Sequence, residues 1–344
     1  MRVLVTGHDG YIGTVLVPLL LHAGYRVTGL DTLLYEGCEL FPPRAEVEAL
    51  RLDVRDVAPC DLAGFDAVVH LAALSNDPLG ALAPELTREV NFEATVGLAC
   101  AAKEAGIGRF VFASSCSMYG TGDTDSPVAE DARLRPLSAY AESKVRAEEA
   151  LATLADRDFA PVLMRNATAY GASPRMRVDL VLNNLVGWAL TTGRIRILSD
   201  GTPWRPLVHV EDIARATVAA LEAPRELVAA EAFNVGADEE NYQVLELAEI
   251  VRRAVPGCEI EYAGSGEPDP RSYRVDFGKL RRTFPALRLA WTAASGAVEM
   301  RDALREGGLT RELFEGPRYT RLKHLQVLLA DGRLDDRLRP REAA

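Results

Sequence analysis

Apolar and polar positions fall into alternating blocks along the first half of the chain. Uninterrupted runs of Val, Leu, Ile, Phe and Ala predict strands at Val3–Thr6, Arg26–Leu30, Ala49–Leu52, Ala67–Leu71, Arg109–Ser114 and Pro161–Arg165. Between them, apolar residues recur at helical spacing over Tyr11–Ala23, Pro84–Ala105 and Ala139–Ala155, as at Leu86 and Val90 and at Ala147, Leu151 and Leu154. Strands that are apolar on both faces and alternate with helices predict a doubly wound α/β fold, a parallel sheet covered on both sides. Pro18 falls inside the first helical stretch, where its missing N–H should kink the helix or shift its start. The second half reads differently. Residues 171–204 form a loop and a helix rich in Asn and Arg. A strand at Leu207–Val210 and an amphipathic helix at Glu211–Glu222 follow. Then come a strand at Phe233–Val235, a helix at Gln243–Val255, a strand at Cys258–Tyr262 and a helix at Ala293–Arg305. From Gly316 to Arg341 the chain is polar with a helical middle, and no internal repeat or low-complexity linker divides it.

The first strand runs into glycines spaced three apart, Gly7, Gly10 and Gly13, and an apolar helix follows. Such a turn lets backbone N–H groups at a helix N-terminus approach a pyrophosphate, because no Cβ blocks the way. A glycine triplet alone is weak evidence. The strand before it, the helix after it and Asp31 at the end of the next strand complete the context of a dinucleotide site. A carboxylate at Asp31 can bind both ribose hydroxyls of NAD and repels a 2′-phosphate, so the cofactor expected is NAD and the sheet is Rossmann-like. Residues 1–170 then form an NAD-binding Rossmann domain, to which 205–236 return. A smaller α/β substrate-binding domain is expected from 171–204 and 237–315 in the C-terminal half, and 316–344 form a C-terminal tail.

Composition narrows this picture. The 344 residues are 48% hydrophobic, enough for a sizeable core, and the net charge of −11 disfavours nucleic acid or an anionic membrane surface as partner. The five cysteines are scattered and include no Cys-x-x-Cys pair, so neither a zinc knuckle nor a disulfide frame is indicated, and a reducing cytoplasm is the expected location. The first strand begins at Arg2, so no signal peptide is expected, and the apolar run Thr14–Leu21 is too short to span a bilayer. No cluster of His, Cys, Asp and Glu has metal spacing, so no metal is expected.

Candidate chemistry gathers at the carboxyl edge of the predicted sheet. Tyr140 and Lys144 stand four residues apart and share one helix face. A nearby ammonium favours the phenolate, so such a tyrosine can exchange a proton with a sugar hydroxyl near neutral pH. The strand ending at Ser114 continues as Ser115-Cys116-Ser117, where a hydroxyl can bond the same substrate oxygen. Alone, Tyr-x-x-x-Lys is most often a solvated helix face and a serine pair most often turn chemistry. Their order behind a dinucleotide turn favours catalysis. Cys116, beside that serine, reads first as packing and second as an acid/base. His8 reads first as a surface-loop residue and second as a phosphate contact, and His70 and His209 read as satisfied core histidines.

At these residues the chain resembles the extended short-chain dehydrogenase/reductases of the nucleotide-sugar epimerase/dehydratase family. The resemblance rests on Thr6-Gly7-x-x-Gly10-Tyr11-Ile12-Gly13, Asp31, Asp53-Val54-Arg55-Asp56, His70-Leu71-Ala72-Ala73, Asn91-x-x-x-Thr95, Ser114-Ser115-x-x-x-Tyr119-Gly120 and Tyr140-x-x-x-Lys144. It continues through Tyr170-Gly171, Asn183-Asn184-Leu185, Arg205, Val208-His209-Val210-Glu211-Asp212 and Phe233-Asn234-Val235-Gly236. It covers about residues 1–310 and leaves the tail uncovered. It implies a nucleotide-sugar substrate, with Ser115, Tyr140 and Lys144 as catalytic residues. Gly7, Gly10, Tyr11, Ile12, Gly13, Asp31, Asp53, Val54, Leu71, Ala72 and Ala73 would hold NAD together with Tyr140 and Lys144. Ser117, Asn184 and Arg205 would bind substrate, and Arg271 would replace the late arginine of other members. The implied dimer pairs the helices at 84–105 and 139–155 of two copies into a four-helix bundle. In 4,6-dehydratases an Asp and a Glu follow the catalytic Ser/Thr; here Cys116 and Ser117 stand there, which disfavours dehydration. The resulting expectation is an NAD-dependent nucleotide-sugar epimerase acting at C4 through a transient 4-keto sugar, with bound NAD recycled. The alternatives are a nucleotide-sugar dehydrogenase or 4-keto reductase, and a non-catalytic NAD-sensing binding protein.

Overall fold

The computed structural model describes residues 1–75, 83–121, 126–262 and 271–341. Its strands in chain order are β1 (Arg2–Thr6), β2 (Arg26–Asp31), β3 (Ala49–Arg51), β4 (Ala67–His70), β5 (Arg109–Ser115) and β6 (Ala160–Asn166). Then follow β7 (Thr168–Tyr170), β8 (Arg194–Ile197), β9 (Trp204–His209), β10 (Ala232–Val235), β11 (Asn241–Gln243) and β12 (Glu259–Tyr262). A seven-stranded sheet in the order β10-β6-β5-β4-β1-β2-β3 forms the centre, with every neighbouring pair parallel. The order reverses between β1 and β4, and that switch point opens a crevice beyond the carboxyl ends of the strands.

The continuous apolar runs are explained by cover on both faces. Val3, Val5, Val69, Val111 and Val162 pack with Leu16 and Leu20 of the helix Gly13–His22 and with Ile213 and Ala216 of the helix Val210–Glu222. Their neighbours Leu4, Val68, Phe110, Phe112 and Leu163 point the other way, onto Leu98 and Ala102 of the helix Ala94–Glu104 and Ala147 and Leu151 of the helix Ala139–Leu154. The first helix continues through Pro18. The helical stretch expected from Pro84 is broken by a π turn at Glu89–Glu93. That turn carries Asn91, whose side chain accepts from Leu74 N (2.8 Å) and donates to Leu74 O (3.0 Å), fixing the loop that leaves β4.

Residues beyond β6 build a second core, centred on Tyr170, Leu182, Val186, Leu247, Val251, Ala297 and Met300. In it β9 lies between β11 and β7, and β12 pairs with β8. Short strands at β7, β8 and β11 carry too few residues to show a pattern in sequence and form through their partners. Residues 317–341 pack on the loops after β2 and β4 and on the helix Pro84–Arg88, with a helix at Arg321–Ala330.

The helix Ala139–Leu154 is held to β6 by a buried ion pair, Arg165 to Glu148 at 2.7 Å, with Arg165 also donating to Tyr119 Oη (3.0 Å) and Glu130 O (2.9 Å). Removing one member strands a buried charge, so Glu148→Ala should lower unfolding free energy by about 3–5 kcal/mol. Urea denaturation followed by circular dichroism tests this; unchanged stability would show that the pair does not anchor the helix.

Candidate active site

The crevice begins at the glycine turn. Gly7 has φ +71°, a conformation that suits glycine, and a Cβ there would sit 2.7 Å from Ala72 N. A Cβ on Gly13 would drive into the carbonyls of Gly7 and His8. The turn is thus compact enough to lie against both β4 and its own helix, leaving a cradle open to a ligand backbone. Asp31, at the end of β2, accepts from Asp9 N (3.1 Å) and Leu33 N (2.9 Å). Gly7, Gly10, Tyr11, Ile12, Gly13, Asp31, Asp53, Val54, Leu71, Ala72 and Ala73 all line one cleft. This set is what a dinucleotide needs: bare backbone for a diphosphate, a carboxylate for ribose and apolar walls for a base.

The structure adds partners that spacing does not reveal. The Asp53 carboxylate is engaged by Arg55, at 2.6 Å, and Arg55 also reaches Glu89 at 3.0 Å. Burial alone would raise the Asp53 carboxyl, but the Arg55 contacts outweigh it and hold the group below the usual carboxylate range. The loop after β7 docks on the glycine turn. Tyr11 Oη donates to Gly171 O (2.7 Å), Ser173 Oγ donates to Tyr11 O (2.7 Å), and Arg175 pairs with Asp9 at 2.6 Å. His8, expected at the surface, instead lies half-buried against Gly29 of β2, because glycine there leaves room for the ring.

At the carboxyl end of β5, Ser115 and Ser117 are joined by a 3.0 Å hydrogen bond between hydroxyls, and Ser117 N donates to Ser115 Oγ (3.1 Å). Lys144 is buried and donates to Ala113 O (2.7 Å), which places it two residues from Ser115 along the same strand. Its Nζ lies 5.9 Å from the Tyr140 ring centre. Lys144 thus joins the helix that carries Tyr140 to the strand that ends in Ser115. Burial favours the neutral amine and brings Lys144 down to about 7, with Glu148 opposing. Cys116 turns away from this group: it is buried in the sheet core and its thiol donates to Arg165 O (3.1 Å). Burial pushes that thiol up, and its place in the core supports the packing reading of Cys116. His70 lies between Thr6 Oγ1 (2.7 Å) and Thr95 Oγ1 (2.9 Å), and burial pushes it down to about 3. His209 bonds Glu299 at 2.9 Å and stacks on Trp291. Both are satisfied core residues.

Of the expected substrate-binding residues, Ser117 follows β5, while Asn184, Arg205 and Arg271 come from the chain beyond β7. Arg205 on β9 is buried and donates to its own Trp204 O (2.8 Å) and to the carbonyl of Arg271. Arg205 and Arg271 are thus brought together, although Asp269 and Pro270 of the Arg271 motif fall outside the described residues. The backbone bridge Thr121 to Ser272 ties this pair to the segment leaving β5. Asn184 donates to Val178 O (2.9 Å), while its neighbour Asn183 holds the glycine turn by donating to Tyr11 Oη (3.2 Å) and Arg177 O (2.9 Å). Arg177 is a residue that sequence reasoning missed. It lines the cleft, pairs with Asp179 at 2.7 Å, reaches Ser75 and lies within electrostatic range of both Tyr11 and Tyr140. Its one signal was the arginine-rich loop after Gly171. Among the described residues no group of three or more His, Cys, Asp and Glu could hold a metal, and no helix is long and apolar enough to cross a membrane.

Comparison with known proteins agrees with this geometry. The chain is 30% identical over 328 residues to the UDP-glucose 4-epimerase of Bacillus subtilis, covering 87% of this chain and 94% of that protein. Among solved structures it superposes on the NAD-dependent NDP-hexosamine 5,6-dehydratase TunA with TM-score 0.79 at 25% identity, covering 89% of this chain and 98% of that one. It superposes on MoeE5 in complex with UDP-glucuronic acid and NAD with TM-score 0.77 at 27% identity, covering 89% and 99%. Residues 3–236 match the model of one family, and with these relatives the match shows that the chain belongs to the NAD dependent epimerase/dehydratase family.

Proposed function

We propose that this chain is an NAD-dependent nucleotide-sugar 4-epimerase. The observation that carries the reading is the position of Lys144, which bonds Ala113 O on the strand that ends in Ser115 and lies 5.9 Å from the Tyr140 ring centre. Bound NAD supplies a hydride acceptor that returns the hydride within the same turnover. Tyr140 takes the proton of the sugar 4-hydroxyl, and Ser115 donates a hydrogen bond to that oxygen. Without substrate that Ser115 proton goes to Ser117 Oγ (3.0 Å), and it turns to the sugar oxygen when substrate is bound. Lys144, when protonated, favours the Tyr140 phenolate and holds the nicotinamide ribose. Arg205, Arg271 and Asn184 bind the nucleotide diphosphate, for which a guanidinium fork is suited. Rotation of the 4-keto sugar between hydride loss and return inverts C4.

Ser115 is followed by Cys116 and Ser117, so no adjacent carboxylate pair is at hand to remove water, and epimerisation is favoured over dehydration. The same reading carries a homodimer through the outer faces of the helices Ala94–Glu104 and Ala139–Leu154, and a reducing cytoplasm, in keeping with five free cysteines.

Purified enzyme incubated with UDP-glucose or UDP-glucuronic acid and followed by NMR should give the C4 epimer without net change in nicotinamide absorbance. Tyr140→Phe should lower kcat by about 100-fold or more. A product lighter by one water, steady consumption of NAD, or full turnover by Tyr140→Phe would each contradict the proposal.

Lys144 also makes a pH prediction. Its amine titrates near 7 when folded and near the ordinary 10.5 when unfolded, so the unfolded chain binds that proton more tightly. Its stability contribution is complete above the unfolded value and is lost as pH falls toward about 7. Cofactor-free wild type should therefore gain stability relative to Lys144→Met as pH is raised from about 7 to 9.5 in urea denaturation. Parallel stability curves would contradict this.

A further inference from the structure

The C-terminal segment, which the family match leaves uncovered, forms part of the cofactor cleft. Leu325, Leu328, Leu334 and Leu338 pack on Leu74 and Leu86, with Leu34, Tyr35 and Val90 at the margin of the cluster. Charged contacts tie its end down: Arg337 to Glu89 at 2.8 Å, Arg339 to Asp56 at 3.0 Å, and Arg55 Nη1 donating to Arg337 O (3.0 Å). His324 bonds Leu34 O (3.0 Å). These anchors reach the loops after β2, β3 and β4, which are the loops that shape the cleft.

Arg321 stands at the start of this segment's helix and lines the cleft with Gly7, Gly10, Asp31 and Arg177. It is 4% exposed. Its guanidinium lies 3.8 Å over the Tyr35 ring, and Nη2 donates to Arg175 O (3.1 Å). Nη1 is buried without a hydrogen-bond partner. Among the described residues no carboxylate lies within ion-pair distance of Arg321, and the nearby Arg177 adds like charge. A buried cation calls for a compensating anion. The cleft that Arg321 lines is the one built to take a dinucleotide, whose diphosphate is its anionic part and matches the guanidinium fork.

We propose that Arg321 is a cofactor-binding residue, its Nη1 donating to a diphosphate oxygen of NAD, and that residues 317–341 thereby close the cleft over the bound dinucleotide. The proposal rests on reading the glycine-lined cleft as the NAD site. A wall fixed to three loops slows exchange of the cofactor and suits a reaction in which NAD is recycled.

Calorimetric titration of full-length protein stripped of cofactor tests it, with NAD, adenosine and UDP as separate ligands. Arg321→Met should weaken NAD binding by about tenfold or more, the size of one charge-assisted hydrogen bond. Adenosine, which lacks the diphosphate, and UDP, which probes the substrate site, should bind as to wild type. Arg321→Lys keeps the charge and serves if the Met variant does not fold; it should also weaken NAD selectively, but less. NAD affinity within about twofold of wild type in the folded variant would overturn the proposal. So would equal losses for NAD and adenosine, or a loss confined to UDP. If wild type itself binds no NAD, the cofactor-site reading fails before Arg321 is tested.

Discussion

The arrangement depends on how closely the backbone can approach itself at Gly7–Gly13. Gly7 lies against Ala72 at the end of β4, and Gly13 lies against the carbonyls of Gly7 and His8. Side chains at those positions would push the first helix away from β1 and the turn away from β4. Once the turn is this tight, the loop after β7 can seat on it through Tyr11, Ser173 and Arg175. The second core is therefore tied to the glycine turn, which in the proposed reading couples substrate binding to the dinucleotide.

Burial then sets the chemistry. Lys144 is placed by helix register beside Tyr140, but its ammonium is held against a backbone carbonyl in surroundings that favour the neutral amine. The helix that carries it is fixed from behind by Arg165 and Glu148, so Tyr140 and Lys144 rest on an element braced by a buried ion pair. Cys116 packs into the core on the opposite face of the sheet, while Ser115 and Ser117 are half-buried.

Much of this was legible in the sequence where the determinants are local. Apolar runs from Val3 and Phe110 reported strands covered on both faces, and the spacing of Tyr140 and Lys144 reported a shared helix face. Asp31 was legible because a strand end projects a carboxylate at a fixed place beside the glycine turn. What could not be read depends on pairs far apart in the chain. Arg321 bonds the carbonyl of Arg175, 146 residues away, and Arg339 meets Asp56 across 283 residues. A polar tail with a helical middle gives no local sign that its leucines meet Leu74 and Leu86. The position of His8 likewise depended on the space above Gly29, which only the folded sheet reveals.

The central claim is that one hydride leaves C4 of the sugar and returns to C4 within a single bound turnover. The direct test is conversion of UDP-glucose carrying deuterium at C4, with product analysed by NMR and mass spectrometry. The account predicts that the epimer keeps its deuterium at C4, with none in solvent and none in released nicotinamide. Washout of deuterium into water, or its accumulation in free reduced cofactor, would contradict it.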